Sequence, residues 1–349
     1  MPMVFPKSPL RGFMPPHVLD RIALQGTERQ RRCAQQTLQA DQWFRLRASP
    51  PPARDAARAV AGRPDRRIHS ADHEQTLPGR LVREEGQAAH GDAAVDEAYE
   101  WLGATYRFYW EVFGRDSIDD RGMPLIGTVH YGRDYDNAFW NGAQMVFGDG
   151  DGDLFRRFTA APEVVAHELT HGVIERDVGL VYAGQSGALN ESLADVFGVV
   201  VKQYHAGQTA QEADWLIGAA LLTDRVQGRA LRSMEAPGTA YDDPVLGRDP
   251  QPGHMRDFVD TQADNGGVHI NSGIPNRAFY LAAVALEAPA WESVAPVWYA
   301  AMRDDALSRE SDFAAFAALT VAHARRQHGE GSREARAVDD AWREVGVVS

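Results

Sequence analysis

Two short stretches carry side chains whose types and spacing can do chemistry: His167-Glu168-Leu169-Thr170-His171, and Gly187-Ala188-Leu189-Asn190-Glu191-Ser192-Leu193-Ala194-Asp195 a little further on. On a helix turning by about 100° per residue, His167 and His171 stand one turn apart on one face, so both imidazoles can reach one ion. Glu168 sits beside them, close enough to act on a water at that ion without ligating it. A catalytic zinc needs a third protein ligand and an open position, and Glu191 can supply the ligand. Asp195, four residues on, shares a helix face with Glu191. It can accept the free ring N–H of a ligating histidine and fix its tautomer. The plain alternative is a helix with two partly exposed histidines. It loses ground once Glu191 and Asp195 are counted with the pentapeptide.

These residues need helices to hold them. Pro162 followed by Glu163-Val164-Val165-Ala166 makes a plausible first turn, with an acid near the positive end of the helix dipole. Further helices are expected at about 93–113, 189–205, 211–225, 272–287, 291–304, 311–328 and 332–345, with a short one through residues 18–23. Strand text stands at 125–131 and 144–147. Asp149-Gly150-Asp151-Gly152-Asp153 looks like a calcium loop, but an EF-hand would need Gly and Glu where Leu154 and Ala160 stand.

Taken together, the chain resembles the thermolysin-type neutral metallopeptidases and, at its front, their protealysin subgroup. The resemblance implies an α+β fold of two catalytic domains, an α/β N-terminal one and an α-helical C-terminal one, with the zinc helix between them. The boundaries expected are 1–67 for propeptide and linker, 68–176 for the first domain and 177–349 for the second. It implies a zymogen of a zinc endopeptidase, cutting on the amino side of bulky hydrophobic residues, with Glu168 activating a zinc-bound water. By the same resemblance His167, His171 and Glu191 are zinc ligands, Asp195 orients His167 and Asn190 supports His171. Tyr182 and His269 would steady the tetrahedral intermediate, with Asp264 holding the His269 ring. Arg232, Asn137 and Ala138 would hold substrate backbone, and Phe155, Phe158, Val164 and Leu231 would line an apolar pocket for the residue after the scissile bond. A metzincin would need a third histidine after a glycine, and the run after His171 has none. A zinc aminopeptidase would carry a Gly-Ala-Met-Glu-Asn segment, also absent. A catalytically dead relative is disfavoured because every essential position is filled.

Charge is unevenly spread. Residues 1–67 hold 13 Lys and Arg against 5 Asp and Glu, a net of +8, and the remainder holds 23 against 44, a net of −21. A basic leader on an acidic body points to an intramolecular partner, the propeptide acting as inhibitor, rather than to nucleic acid. The text from 47 to 67 is rich in Pro, Ala and Arg and reads as an extended linker where cutting occurs, giving a mature start near Ile68. Cys33 is the only cysteine, so no intramolecular disulfide forms. His17 and Cys33 are the leader side chains able to touch zinc, although solvated roles are expected for both. No apolar run is long enough to span a membrane. The first residues lack the charge and apolar pattern of a Sec signal, so synthesis and holding in the cytoplasm are expected. Release would then follow a non-Sec route, secretion being the wider family's habit. Peptides and proteins are the expected substrates, and the expected state is a monomer. One departure stands out. Where the family places two acids for a double calcium site, this chain has Glu163 and Lys202. No calcium is expected there, the ammonium pairing with Glu163 instead.

Overall fold

The computed structural model describes residues 11–46 and 60–349. The expected linker therefore falls largely outside the described residues. Its last residues, Arg66 and Arg67, open a strand instead.

The leader begins with β1 (Arg11–Gly12), followed by α1 (Pro16–Gln25) and α2 (Glu28–Leu46). The body begins with β2 (Arg66–Ser70), β3 (Arg80–Glu84), α3 (Ala93–Phe113), β4 (Leu125–Val129), β5 (Ala138–Trp140) and β6 (Met145–Phe147). These strands form one sheet in the order β1-β5-β6-β4-β2-β3. Its centre, β6-β4-β2, is parallel, and the outer pairings are antiparallel. The leader thus supplies an edge strand, covering backbone groups of β5 that an open edge would expose.

α3 matches its expected span. Asp92 caps it by accepting from the amides of Ala94 and Val95, and Gly114 ends it in the left-handed conformation. Next come α4 (Pro162–Asp177) and α5 (Gly184–Ala206), the two helices that carry the motifs. They pack very closely: a Cβ on Gly198 would lie 2.6 Å from the Glu163 carbonyl and 3.5 Å from the His167 Cβ. Glycine there lets α5 present its carboxylates to the histidines of α4.

The expected helix at 211–225 is not formed. Leu216–Ile217 make β7, which pairs with β8 (Arg232–Ser233), and Trp215 adopts a left-handed φ of 54°. Asp214 accepts the Leu216 amide and binds Lys202, so the segment is bent onto α5 rather than coiled. After the small hairpin β9 (Asp242–Asp243) and β10 (Gly247–Arg248) the chain is helical: α6 (Asp264–Asn271), α7 (Gly273–Leu286), α8 (Ala290–Ser293), α9 (Ala295–Met302), α10 (Phe313–His328) and α11 (Arg333–Glu344). Trp298 and Trp342 stack at 5.9 Å where α9 meets α11.

One apolar cluster runs through both halves and includes Phe13, Val18, Leu19 and Ile22 of the leader. Among the described residues no helix is long and apolar enough to cross a membrane. A polar tie joins the halves. The Arg115 guanidinium, wholly buried, donates to both oxygens of Asp177, to the carbonyls of Ser117 and Ile118, and to the Tyr299 hydroxyl. Arg115→Ala would leave the largely buried Asp177 carboxylate with only the more distant Arg303, 3.6 Å away, as a cation. It should lower stability by about 3–5 kcal/mol, read as the urea midpoint multiplied by the slope.

Candidate active site

The carboxylates behind the histidines aim their rings. Asp195 accepts from His167 Nδ1 at 2.9 Å, and the Asn190 side-chain oxygen accepts from His171 Nδ1 at 2.8 Å. Each Nε2 is thereby turned toward Glu191, whose oxygens lie 3.6 Å from His167 Nε2 and 3.3 Å from His171 Nε2. The three side chains are buried, with one ligating atom from each close enough to share an ion. His167 Nε2 and Glu191 Oε2 have no hydrogen-bond partner there. Buried polar atoms left this way require something between them, and two imidazoles with one carboxylate are a zinc donor set. Zinc fits these residues.

Charges around the trio are arranged in layers. Burial and the neighbouring His171 hold His167 down at about 4 against the pull of Asp195, so its ring is a neutral ligand. Burial alone would raise Asp195, but Arg232 and His167 outweigh it and hold the carboxylate at about 2. Arg232 binds Asp195 through two parallel bonds of 2.9 and 2.8 Å, and Asn276 donates to the same carboxylate at 3.0 Å. Burial, then Glu191, pushes Glu168 well above the carboxylate range. Across the site the Tyr182 hydroxyl bonds to Glu191 and lies 3.4 Å from His269 Nε2. His269 is held by Asp264, which accepts from its Nδ1 at 2.7 Å and its amide at 2.8 Å. A left-handed run at Asn265, Gly266 and Gly267 folds Asp264 back to make that contact. Burial lowers His269, yet Asp264 and Glu191 overcome it and raise the ring to about 9.

The leader lies across this centre. The Phe13 amide donates to the Ala138 carbonyl at 2.9 Å, and the Met14 amide to the Asn137 side-chain oxygen at 2.8 Å. Arg232 donates to the Phe13 carbonyl at 3.2 Å, and His269 Nε2 to the Gly12 carbonyl at 2.9 Å. The Phe13 ring sits edge-on to His167 at 5.2 Å and to Phe158 at 6.4 Å, beneath the Arg232 guanidinium at 4.4 Å. Phe155 is one ring further, 6.5 Å from Phe158, and Val164 and Leu231 are buried in the same cluster. Gly12 has no room for a side chain, since a Cβ would lie 2.8 Å from the Asn137 amide nitrogen.

His17 and Cys33 are not solvated and do not join the trio. His17 is partly buried and bonds to the Tyr241 hydroxyl at 3.3 Å, while Cys33 is buried between leader and body. Reasoning from sequence missed Asp41, whose carboxylate accepts from the Tyr135 hydroxyl at 2.5 Å and from the Asn137 side-chain nitrogen at 2.9 Å. It also missed Gly12, Phe13 and Asn276. The charge asymmetry gave a weak signal of docking: Arg29 reaches Asp134 at 3.4 Å and the Asp151 carbonyl at 2.6 Å, but Gln30, Thr37 and Asp41, which also bond the body, are not basic. Lys202 lies 4.0 Å from Glu163 and 2.8 Å from Asp214, and also donates to the Leu216 carbonyl.

Two imidazoles, a ligating carboxylate and a free-standing glutamate define a mononuclear zinc hydrolase centre. The chain belongs to the thermolysin family of metallopeptidases and carries a protealysin propeptide. The family's catalytic domain matches residues 54–175, its alpha-helical domain residues 178–347, and the protealysin propeptide residues 11–39. An extracellular metalloprotease of Pectobacterium carotovorum subsp. carotovorum is 56% identical over 339 residues, 97% of each chain. Protease PrtS of a Photorhabdus strain is 48% identical over 97% of this chain and 92% of its own. The precursor of protealysin from Serratia proteamaculans superposes with a TM-score of 0.90 at 53% identity, covering 97% of this chain and all of that one. The protein is a zinc metallopeptidase made as a zymogen, with its propeptide as intramolecular inhibitor and proteins as substrates.

Proposed function

We propose that the enzyme is an endopeptidase that cuts before bulky apolar residues, and that the leader occupies the site as a substrate would. The observation carrying this is the backbone register of Gly12-Phe13-Met14: the carbonyl before Phe13 meets His269, and the Phe13 side chain fills the apolar pocket. A substrate in that register places its scissile carbonyl between His269 and Tyr182 and the following side chain against Phe158, Phe155, Val164 and Leu231. Zinc held by His167, His171 and Glu191 would polarise that carbonyl and bring water's pKa to about 7. Glu168 takes the attacking water's proton and delivers it to the leaving amine. Tyr182 and the raised imidazole of His269 donate to the oxyanion as it forms, where donors count most. Asn137, Ala138 and Arg232 hold the substrate backbone, and Asp195, Asn190 and Asp264 keep their partners aligned. The test is a series of blocked peptides varied only after the scissile bond. Leu or Phe should exceed Ala in kcat/KM by roughly 10- to 200-fold, the worth of filled apolar volume. Equal rates would sink the assignment of the pocket.

Three finer readings go with this one. The chain divides at 67 and 176 as the sequence implies. A cut at Ile68 itself would take Arg66 and Arg67 from β2 and lose the Arg66 pair with Glu85, so a start near Ile68 is best met by a cut a little earlier, before Arg66. Lys202 takes the place of calcium at the family's double site. Lys202→Ala should therefore destabilise the fold by about 1–3 kcal/mol, because Glu163 is buried, and denaturant melts would read it. The enzyme acts outside the cell, as the name of its Pectobacterium relative supports, after being held as a zymogen in the cytoplasm; it works as a monomer and takes neither nucleic acid nor membrane as partner.

A further inference from the structure

A second group of metal-ligand side chains lies away from the catalytic trio and shares no residue with it: His73, His130 and Asp149. The sheet topology brings them together. β2, β4 and β6 are adjacent and parallel, and each of the three residues follows the C-terminal end of one of them. We propose that these three side chains form a second zinc site, one that clamps the ends of the three parallel strands.

Distances favour it. Ligands about 2.0–2.1 Å from a tetrahedral zinc lie about 3.3–3.4 Å from one another. His73 Nδ1 is 3.4 Å from Asp149 Oδ2, at that spacing, whereas His130 Nδ1 lies closer, 2.9 and 3.0 Å from the two Asp149 oxygens, a hydrogen bond that an entering ion would open. The corresponding separations in the catalytic trio are 3.6 and 3.3 Å. The two rings approach at 5.4 Å between centroids, tilted by 59°, so both edges face one carboxylate.

The outer shell repeats the catalytic pattern. His130 Nε2, the nitrogen turned away from Asp149, bonds to Asp92 Oδ1 at 3.2 Å, as His167 Nδ1 bonds to Asp195. A carboxylate behind a histidine fixes its tautomer and raises its basicity toward a metal. Asp92 is itself held in place by capping α3. His73 and His130 both sit at positive φ, 64° and 54°, which turns each side chain sharply at the end of its strand.

Charge agrees as well. Asp149 and Asp92 face the histidines, while nearby Asp72 is already paired with Arg80 at 2.8 Å. Asp149 and Asp92 put two carboxylates around the two rings; the hydrogen bond to Asp149 holds His130 toward its protonated form, and a dication at this place would take over that proton's role between the ring and the carboxylate. A protonated His130 bridging Asp149 and Asp92 would account for that ring, but it leaves unexplained why His73 turns a second imidazole to the same oxygen. The site is partly open, with His73 about half exposed, so water completes the coordination. Two imidazoles and one carboxylate suit zinc over calcium or magnesium.

The test is zinc stoichiometry of the full-length protein after dialysis against micromolar Zn²⁺, read by elemental analysis, with melting temperature measured alongside. Two zinc ions per chain are expected, falling to one in His73→Ala and, separately, in Asp149→Asn, with peptide hydrolysis by the trimmed variants intact. Added zinc should raise the wild-type melting temperature and leave that of His73→Ala unchanged. His73 is exposed enough that its loss should not unfold the chain, which a melt in chelator checks. One zinc in the wild type overturns the proposal. So does a second zinc that survives both substitutions.

Discussion

Replacing Glu168 by alanine is expected to lower kcat/KM for a blocked Gly-Leu peptide by about 10²–10⁴-fold while the protein keeps its catalytic zinc. The two effects separate because Glu168 sits beside the ligands without being one. His167, His171 and Glu191 keep their donor atoms, and Asp195 and Asn190 still orient the rings. Glu168 is wholly buried on the zinc helix, so alanine leaves a small void rather than a broken contact at the surface. What disappears is the group that moves a proton from water to the leaving amine. A second consequence follows for the zymogen. If the leader is removed by the enzyme's own activity, purified Glu168→Ala should keep it indefinitely, and a trace of wild type should remove it. Zinc lost together with activity would move Glu168 from base to structural role. Activity within threefold of wild type would remove it from the reaction.

What could be read from sequence divides along physical lines. The zinc ligands were legible because their geometry is local: a four-residue spacing on a helix needs no knowledge of the rest of the fold. Asp195 behind His167 was legible for the same reason. α3, α7, α10 and α11 followed from periodicity and ended within a residue or two of their expected bounds. The segment at 211–225 misled because its composition favours a helix, while Asp214, Lys202 and the pairing of Leu216–Ile217 with Arg232–Ser233 draw it into a bend. Long-range pairing overrode propensity. The leader's contacts were the least legible. Gly12 and Phe13 form a strand too short to show alternation, and Asp41 meets Asn137 across nearly a hundred residues of chain. His73, His130 and Asp149 are likewise scattered in sequence and converge only because three parallel strands end side by side.

Phe13→Ala should unlock the zymogen before any bond is cut. At the catalytic centre the leader is held through backbone bonds that need glycine at position 12, and through the Phe13 ring that only an apolar residue can replace, with Asp41 bonding Asn137 beside them. The Phe13 ring is fully buried among Phe158, His167 and Arg232. Truncating such a ring costs about 3–5 kcal/mol, equivalent to roughly 10²–10⁴-fold in the equilibrium between docked and undocked leader. The backbone bonds to Ala138, Asn137, Arg232 and His269 survive the change, so the leader still docks in register but spends more time away. The rise should appear as hydrolysis of a small blocked peptide by uncut zymogen, and as a shorter lag before full activity. Trimmed enzyme should be unaffected, because residue 13 has left it. Leu24→Ala gives the control: Leu24 is 68% exposed on the same leader, and its loss should leave the lag as it was. An unchanged lag in Phe13→Ala would mean that α1 and α2 hold the leader down by themselves. The pocket ring would then be a passenger, and inhibition would rest on leader contacts such as Asp41 with Tyr135 and Asn137.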